Sequence, residues 1–278
     1  MNPHDYCQQK AAASGSSFYY SFLFLPKPKR QAITALYAFC REVDDVADEC
    51  TDAGIARTKL AWWRAEIANL YADKPQHPVT QALTDAVSDY NLVEEHFVEI
   101  IDGMEMDLDQ NRYRDFKELH LYCYRVASVV GLLSASIFGY SDRKTLKYAH
   151  DLGLAFQLTN IVRDVGEDAR RGRIYLPLDE MAQHGVSEGD ILRGEESDNV
   201  RRLLESQIER AEGYYRRAFE ELPEADRRDQ RTGLIMAAIY RALLDEIRIG
   251  GCEKVLNQRV SLTPLRKLWL AWKTWLKG

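Results

Sequence analysis

Apolar residues in this chain recur at three- and four-residue steps almost from end to end, and no run alternates with the two-residue period of a strand. That pattern confines the fold to packed helices. Between Lys29 and Glu49 the residues Ile33, Leu36, Tyr37 and Cys40 mark one such face, and Leu60, Trp63, Ile67 and Leu70 mark the next. The same spacing predicts helices over 79–90, 92–108, 116–138, 143–165, 199–222 and 225–249. Asp115 and Asp142 stand where N-caps belong. Residues 170–177 (RRGRIYLP) break the pattern as a connector. No repeat and no glycine- or serine-rich linker divides the 278 residues, so one all-α, single-domain bundle is expected over 1–262, followed by a separate amphipathic segment, 263–278.

The overall balance excludes several classes. With a net charge of −6 the chain lacks the basic surface that nucleic-acid binding requires. Five cysteines without a CxxC pair read as free thiols in a reducing compartment. The opening MNPHDYCQQK lacks a signal-peptide layout, and the uncharged stretches 11–26 and 126–141 are short for a bilayer span. A cytoplasmic protein, peripheral on the membrane at most, is the expectation.

Two places set carboxylates along one helical face. Asp44 and Asp48 are four residues apart, with Asp45 turned about 100° away. Asn160, Asp164 and Asp168 form a second four-residue stripe, one turn after Gln157. Like charges at this spacing cost an isolated helix a few tenths of a kcal/mol per pair. A solvated acidic patch explains one stripe. Two stripes beside apolar faces suggest convergence around hard divalent cations, for which Mg2+ completed by substrate phosphates is suited. Tyr37 and Arg41 precede Asp44 on the same side, and Arg163 precedes Asp164. Arginine forks match phosphate oxygens, although an ion pair with the neighbouring aspartate is the alternative for Arg163. Gly166, in the helical pattern, marks either a close backbone approach or a fraying end. Aromatic residues crowd the same regions: Phe18, Tyr19, Tyr20, Phe22, Phe24, Tyr122, Tyr124 and Phe156. The run 126–136 mixes small and branched side chains; it lines an apolar tunnel or packs tightly, and residue type favours packing.

At these residues the chain resembles the squalene/phytoene synthase family. The carriers are SGSSFYYSFLFLP (14–26), YAFCREVDDVAD (37–48), DGMEMDL (102–108), YCYRVASVVG (122–131), QLTNIVRDVGEDARRGRIYLP (157–177) and the helix containing Tyr240. The resemblance implies the class I isoprenoid synthase bundle, with a central active-site cavity and Mg2+ ions bridging diphosphate. It assigns Asp44, Asp48, Asn160, Asp164 and Asp168 to the metal. Ser14, Ser17, Phe18, Tyr37, Arg41, Gln157, Asn160, Arg163 and Tyr240 fall to substrate, and Tyr122 becomes the catalytic tyrosine, working with Arg41, Asp44, Asp48 and Asp164. Some members carry a basic pair where Ser14 and Ser16 stand here, which leaves the Ser17 hydroxyl and backbone amides for that role.

The opening most resembles the presqualene diphosphate synthases of bacterial hopanoid pathways. That branch implies coupling of two farnesyl diphosphates without NADPH, and downstream squalene-pathway enzymes as partners. Phytoene synthase, dehydrosqualene synthase and NADPH-dependent squalene synthase are the rivals, with a catalytically silent binding relative outside the enzyme class. In the tail, Leu265, Leu268, Trp269, Trp272, Trp275 and Leu276 share a face behind the helix start Thr263-Pro264. It fits either a membrane interface or the enzyme's own body.

Overall fold

In a computed structural model, residues 1–13 and 17–277 are described, with side chains at all of these except 17, 19, 20 and 277. The helices follow in order: α1 (Pro3–Ala13), α2 (Ser17–Phe22), α3 (Lys27–Glu49), α4 (Ala53–Tyr71), α5 (Pro78–Asp89), α6 (Glu94–Asp109), α7 (Phe116–Cys123), α8 (Val129–Phe138), α9 (Lys144–Arg170), α10 (Leu178–Gln183), α11 (Glu188–Leu192), α12 (Asp198–Glu221), α13 (Arg231–Gly250) and α14 (Pro264–Lys277). Among the described residues strand pairing is limited to one isolated bridge, Arg112 with Ile174, which ties the 170–177 connector to the end of α6. The fold is all-α, as the periodicity requires.

Local chemistry sets most boundaries. Pro28 and Pro78 sit in the first turns of α3 and α5, where a missing N–H costs nothing. Asp52 caps α4 by accepting from the Ile55 amide at 3.0 Å, and Asp115 caps α7 by accepting from Glu118 at 3.0 Å. Asp142 lies one residue ahead of the cap position of α9, yet still accepts from the Lys144 amide at 2.9 Å. The helix expected from 225 begins instead at Arg231, after a short 3-10 turn at Glu224–Asp226. Asp226 is buried there and accepts from the Ser141 amide and hydroxyl, the Asp142 amide and the Thr145 hydroxyl at 2.6–3.1 Å. Those four bonds hold the chain in a turn that helical periodicity does not reveal.

Two apolar cores flank the centre. One gathers α3, α4, α5, α6 and α8 around Leu36, Phe39, Ile67 and Phe97; the other gathers α9, α12 and α13 around Leu158, Val162, Leu204 and Ile239. Each such fully buried side chain contributes about 1.5–3 kcal/mol. The stretch 116–138 belongs to both, giving Leu119 and Cys123 to one core and Val129, Leu133 and Ile137 to the other. By length and composition it is apolar enough to cross a membrane, but here it packs against α3, α6 and α9. A π-helical turn at Tyr124–Ser128 interrupts it. Four residues of α-helix turn about 400°, so a strict four-residue stripe drifts about 40° per step. The wider turn takes back part of that drift and keeps Tyr122, Val126, Val130 and Ser134 on the central side.

Two close approaches tighten the centre. A Cβ at Gly131 would lie 2.4 Å from the Ala149 carbonyl of α9. A Cβ at Gly166 would lie 2.0 Å from the Leu256 carbonyl, in the turn Cys252–Leu256. Of the two readings of Gly166, close approach is the one the structure bears out, and α9 continues past it to Arg170.

Candidate active site

Between the two cores lies a cavity of about 770 Å³. From α3 it takes Tyr37, Arg41, Asp44 and Asp48, spaced so that one helical face presents all four. From α9 it takes Gln157, Asn160, Arg163, Asp164, Glu167 and Asp168, and from the other walls Phe18, Asp107, Tyr122, Arg171, Arg173, Tyr175 and Tyr240. The two acidic rows therefore face a common space. Every candidate residue with a described side chain lines it; Ser14 and the Ser17 hydroxyl lie outside the described residues. Asp45, expected to turn away, does so: it bonds Lys10 at 2.8 Å and is absent from the lining.

Arginines answer the acids nearly one for one. Arg41 reaches Asp44 at 2.5 Å and Asp45 at 2.6 Å. Arg171 and Arg173 reach Asp48 at 3.0 and 2.7 Å. Arg163 forks onto Asp164, its Nε at 2.7 Å, and the Tyr240 hydroxyl lies against the same guanidinium. Arg163 thus forms the ion pair that the sequence left as one of two readings. Arg259, from the segment after α13, lies 3.3 Å from Glu167. Among the described residues six acids and six bases line the chamber, so their charges balance.

That balance leaves residual cost. Burial, and then repulsion from Asp48 and Asp107, outweighs Arg41 and pushes the Asp44 carboxyl up to about 6. Burial and then the neighbouring Asp164 push Asp168 up to about 7. The Asn160 carboxamide donates to Gln157 at 3.3 Å, but its buried Oδ1 has no hydrogen-bond partner. Destabilised carboxylates and an orphaned carbonyl oxygen on facing helices form a donor set of hard oxygens, which fits a divalent cation. Among the described residues no three His, Cys, Asp or Glu side chains form a preformed cage.

Several lining residues escaped the sequence reading. Asp107 accepts from the hydroxyls of Tyr122 at 3.0 Å and Tyr175 at 2.7 Å, and the two rings stack 5.2 Å apart. Burial raises its carboxyl to about 6 despite both donors. Asp107, Arg171, Arg173 and Tyr175 fall within stretches that carried the resemblance, but nothing in their spacing marked them. Arg259 and Lys267 had no signal at all.

A second, apolar cavity of about 190 Å³ adjoins the first and shares Phe18, Tyr37, Cys40, Val126, Gln157 and Asn160 with it. Val126, Ala127, Val130, Gly131, Ser134 and Ala135 also line it. The preference for packing in this run needs correction: the same segment packs on α9 through Gly131 and also lines a cavity. At the junction Phe18 lies 5.8 Å from Tyr37, 6.0 Å from Tyr240 and 6.2 Å from Phe156, ring centre to ring centre. Phe156 and Tyr240 are 4.9 Å apart.

A helical protein whose charged chamber opens onto an aromatic-rimmed apolar pocket is built for a molecule ionic at one end and hydrocarbon at the other. The model of the squalene/phytoene synthase family matches residues 11–266, and the chain belongs to that family. A phytoene synthase from Arthrospira platensis is 38% identical over 279 residues, covering 95% of this chain and 90% of that protein. A dehydrosqualene synthase solved with a ligand superposes with a TM-score of 0.85 at 30% identity, covering 99% of this chain and 96% of that one. The squalene synthase HpnC from Alicyclobacillus acidocaldarius gives a TM-score of 0.78 at 27% identity, covering 90% of this chain and 94% of that one. The chain spans 66% of the length of the chloroplastic phytoene synthase of an Oncidium hybrid.

Proposed function

We propose that this chain is a prenyltransferase that joins two farnesyl diphosphates head to head, forming presqualene diphosphate and releasing one diphosphate. The observation that carries the reading is the shared wall: six residues belong at once to the acid–arginine chamber and to the apolar pocket. A ligand spanning them has a phosphate head in one and an isoprenoid chain in the other.

Mg2+, held by Asp44, Asp48, Asn160, Asp164 and Asp168 and completed by phosphate oxygens, would supply Lewis-acid stabilisation of the leaving group. Arg41 and Arg163 exchange their aspartate partners for diphosphate oxygens through the same guanidinium forks. When the C1–O bond of one substrate breaks, the allylic cation lies among Phe18, Tyr37, Phe156 and Tyr240. Ring faces in such a desolvated setting contribute up to about 2 kcal/mol each. The double bond of the second farnesyl attacks that C1, and loss of a proton from the same carbon closes the cyclopropane. Tyr122 accepts this proton at its oxygen as its own passes to Asp107, so no free phenolate is needed; burial holds the Tyr122 phenol well above its ordinary value. Holding the two chains in register replaces a bimolecular encounter, worth about 7–11 kcal/mol in favourable cases. The product retains a diphosphate and is a substrate for a further ionising enzyme, which defines the downstream partner.

Coupling of two C20 chains is the second reading, favoured by the phytoene synthase relatives. The small apolar pocket and the dehydrosqualene and squalene synthase neighbours support the shorter chain. The test is incubation with farnesyl or geranylgeranyl diphosphate and Mg2+, with and without NADPH, and product identification by mass. Presqualene diphosphate in both nucleotide conditions, lost with chelator or in Asp48→Asn and Asp164→Asn proteins of unchanged helicity, is expected. Squalene formed only with NADPH, or turnover of the C20 substrate alone, would replace the proposal with the corresponding rival.

A further inference from the structure

The tail helix α14 presents two different faces, one docked on the enzyme's own body and one exposed. Its inner face, Lys267, Leu270 and Ala271, docks on α13 and α2; Ala271 is fully buried, and Lys267 reaches the wall of the 770 Å³ cavity. Its outer face leaves Leu265, Leu268, Trp269, Trp272 and Leu276 between 40% and 80% exposed. The patch extends beyond the helix: Trp275 stacks on Phe24, 5.7 Å between ring centres, and Leu23 beside it is also exposed. Two elements distant in sequence thus build one apolar surface on a wall of the active site.

The segment that carries this surface is basic; Arg259 and Lys267 turn to the chamber and Arg266 pairs with Glu246, while Lys254 and Lys273 are exposed. From Lys254 to the C-terminus there are six Lys and Arg and no Asp or Glu, in a chain of net charge −6. We propose that this surface seats the enzyme on an anionic lipid bilayer, with α14 lying in the interface. Fourteen residues of helix span about 21 Å, short of the roughly 30 Å hydrocarbon core, so the helix lies flat rather than crossing. Tryptophan and leucine enter the headgroup boundary while exposed lysines such as Lys273 and Lys254 meet anionic headgroups. A second copy of the chain is a poorer occupant, because two-fold pairing would set the basic tail against itself. Since the same helix walls the cavity, docking places the lipid phase beside the chamber that, on the reading above, takes isoprenoid chains.

The experiment is co-sedimentation of the full chain with vesicles of phosphatidylglycerol and phosphatidylcholine, and with phosphatidylcholine alone, at low and high salt. The wild-type chain should pellet with the anionic vesicles and be released by salt. Trp269→Ser/Trp272→Ser should weaken binding about tenfold or more, with turnover of detergent-dispersed substrate unchanged. Phe24→Ser, on a separate element, should weaken it in the same direction and carries the test if the double variant loses helicity. Equal pelleting of wild-type and variant chains would overturn the proposal, as would a vesicle-free dimer that the double substitution dissociates. Sedimentation requires no catalysis, so failure of the proposed reaction and failure of membrane docking are read separately.

Discussion

Replacement of Gly166 by alanine sets two effects of opposite sign against each other. Helix propensity alone favours alanine in an α-helix interior by about 1 kcal/mol. The fold opposes it, since the new methyl carbon would lie 2.0 Å from the Leu256 carbonyl oxygen where ordinary contacts begin near 3.4 Å. The turn Cys252–Leu256 must therefore retreat by about 1.4 Å. Neither side is a flexible side chain: the donor of the clash is α9, packed along α12, and the acceptor is backbone whose flanking Val255 and Leu256 are buried. Overpacking of this kind costs about 1–3 kcal/mol, so the net change is a loss of up to about 2 kcal/mol, or a melting temperature lower by several degrees.

The functional effect should be larger than the stability effect. The retreating turn leads directly into Arg259, Val260, Ser261 and Leu262, all of which line the chamber three to six residues further on. A shift of about 1 Å in groups that position a substrate can cost on the order of 10²-fold in rate. Thermal melts followed by circular dichroism, with kcat and KM for diphosphate release, read both quantities. A Gly166→Ala chain that melts at a higher temperature with unchanged kinetics would show that this contact does not constrain α9, and would refute the reasoning.

Other consequences are simpler. Asp107→Asn keeps one acceptor oxygen for two tyrosine hydroxyls and removes the proton sink; product formation should fall by about 10²–10⁴-fold with helicity retained. Because Tyr122 and Asp107 act as one unit, Tyr122→Phe in the same chain should add little further loss, and near-additive losses would separate them. For Asp226, burial by itself would raise the carboxyl, but the hydrogen bonds from Ser141 and Thr145 and the two backbone amides hold it down at about 2. A carboxyl depressed in the folded chain contributes its full stability above the unfolded value of about 4 and loses it as the pH falls through about 2, some 2 kcal/mol in all. Asp226→Asn should flatten this part of the acid-denaturation curve and lower stability at neutral pH; an unchanged acid limb would contradict the assignment.

Much of the site was legible because it is written in helix spacing. Asp44 with Asp48, and Asn160 with Asp164 and Asp168, share a face in any α-helix that contains them, as do Arg41 and Tyr37 one and two turns ahead. The amphipathic tail was legible for the same reason, as was the all-α class. Repetition of the acidic stripe beside apolar faces suggested that the two rows meet, and the family resemblance agreed, but one-dimensional spacing does not set one helix against another.

What tertiary structure alone decided follows from contacts between segments far apart in the chain. Asp107 shares a helix face with Ile100 and Met104, but it joins the site because Tyr122 and Tyr175 arrive from other elements. Arg259 and Lys267 enter the chamber because the chain doubles back past Gly166, and α13 starts at Arg231 because Asp226 binds the loop before α9. The run 126–136 both packs and lines a pocket because a π turn divides its faces between two neighbours. The sequence by itself determined which side chains share a helix face, since a residue's angle about its own axis depends only on its position. Which faces look at one another depends on interhelix angles set by the whole packed interior, and that is information only the folded molecule holds.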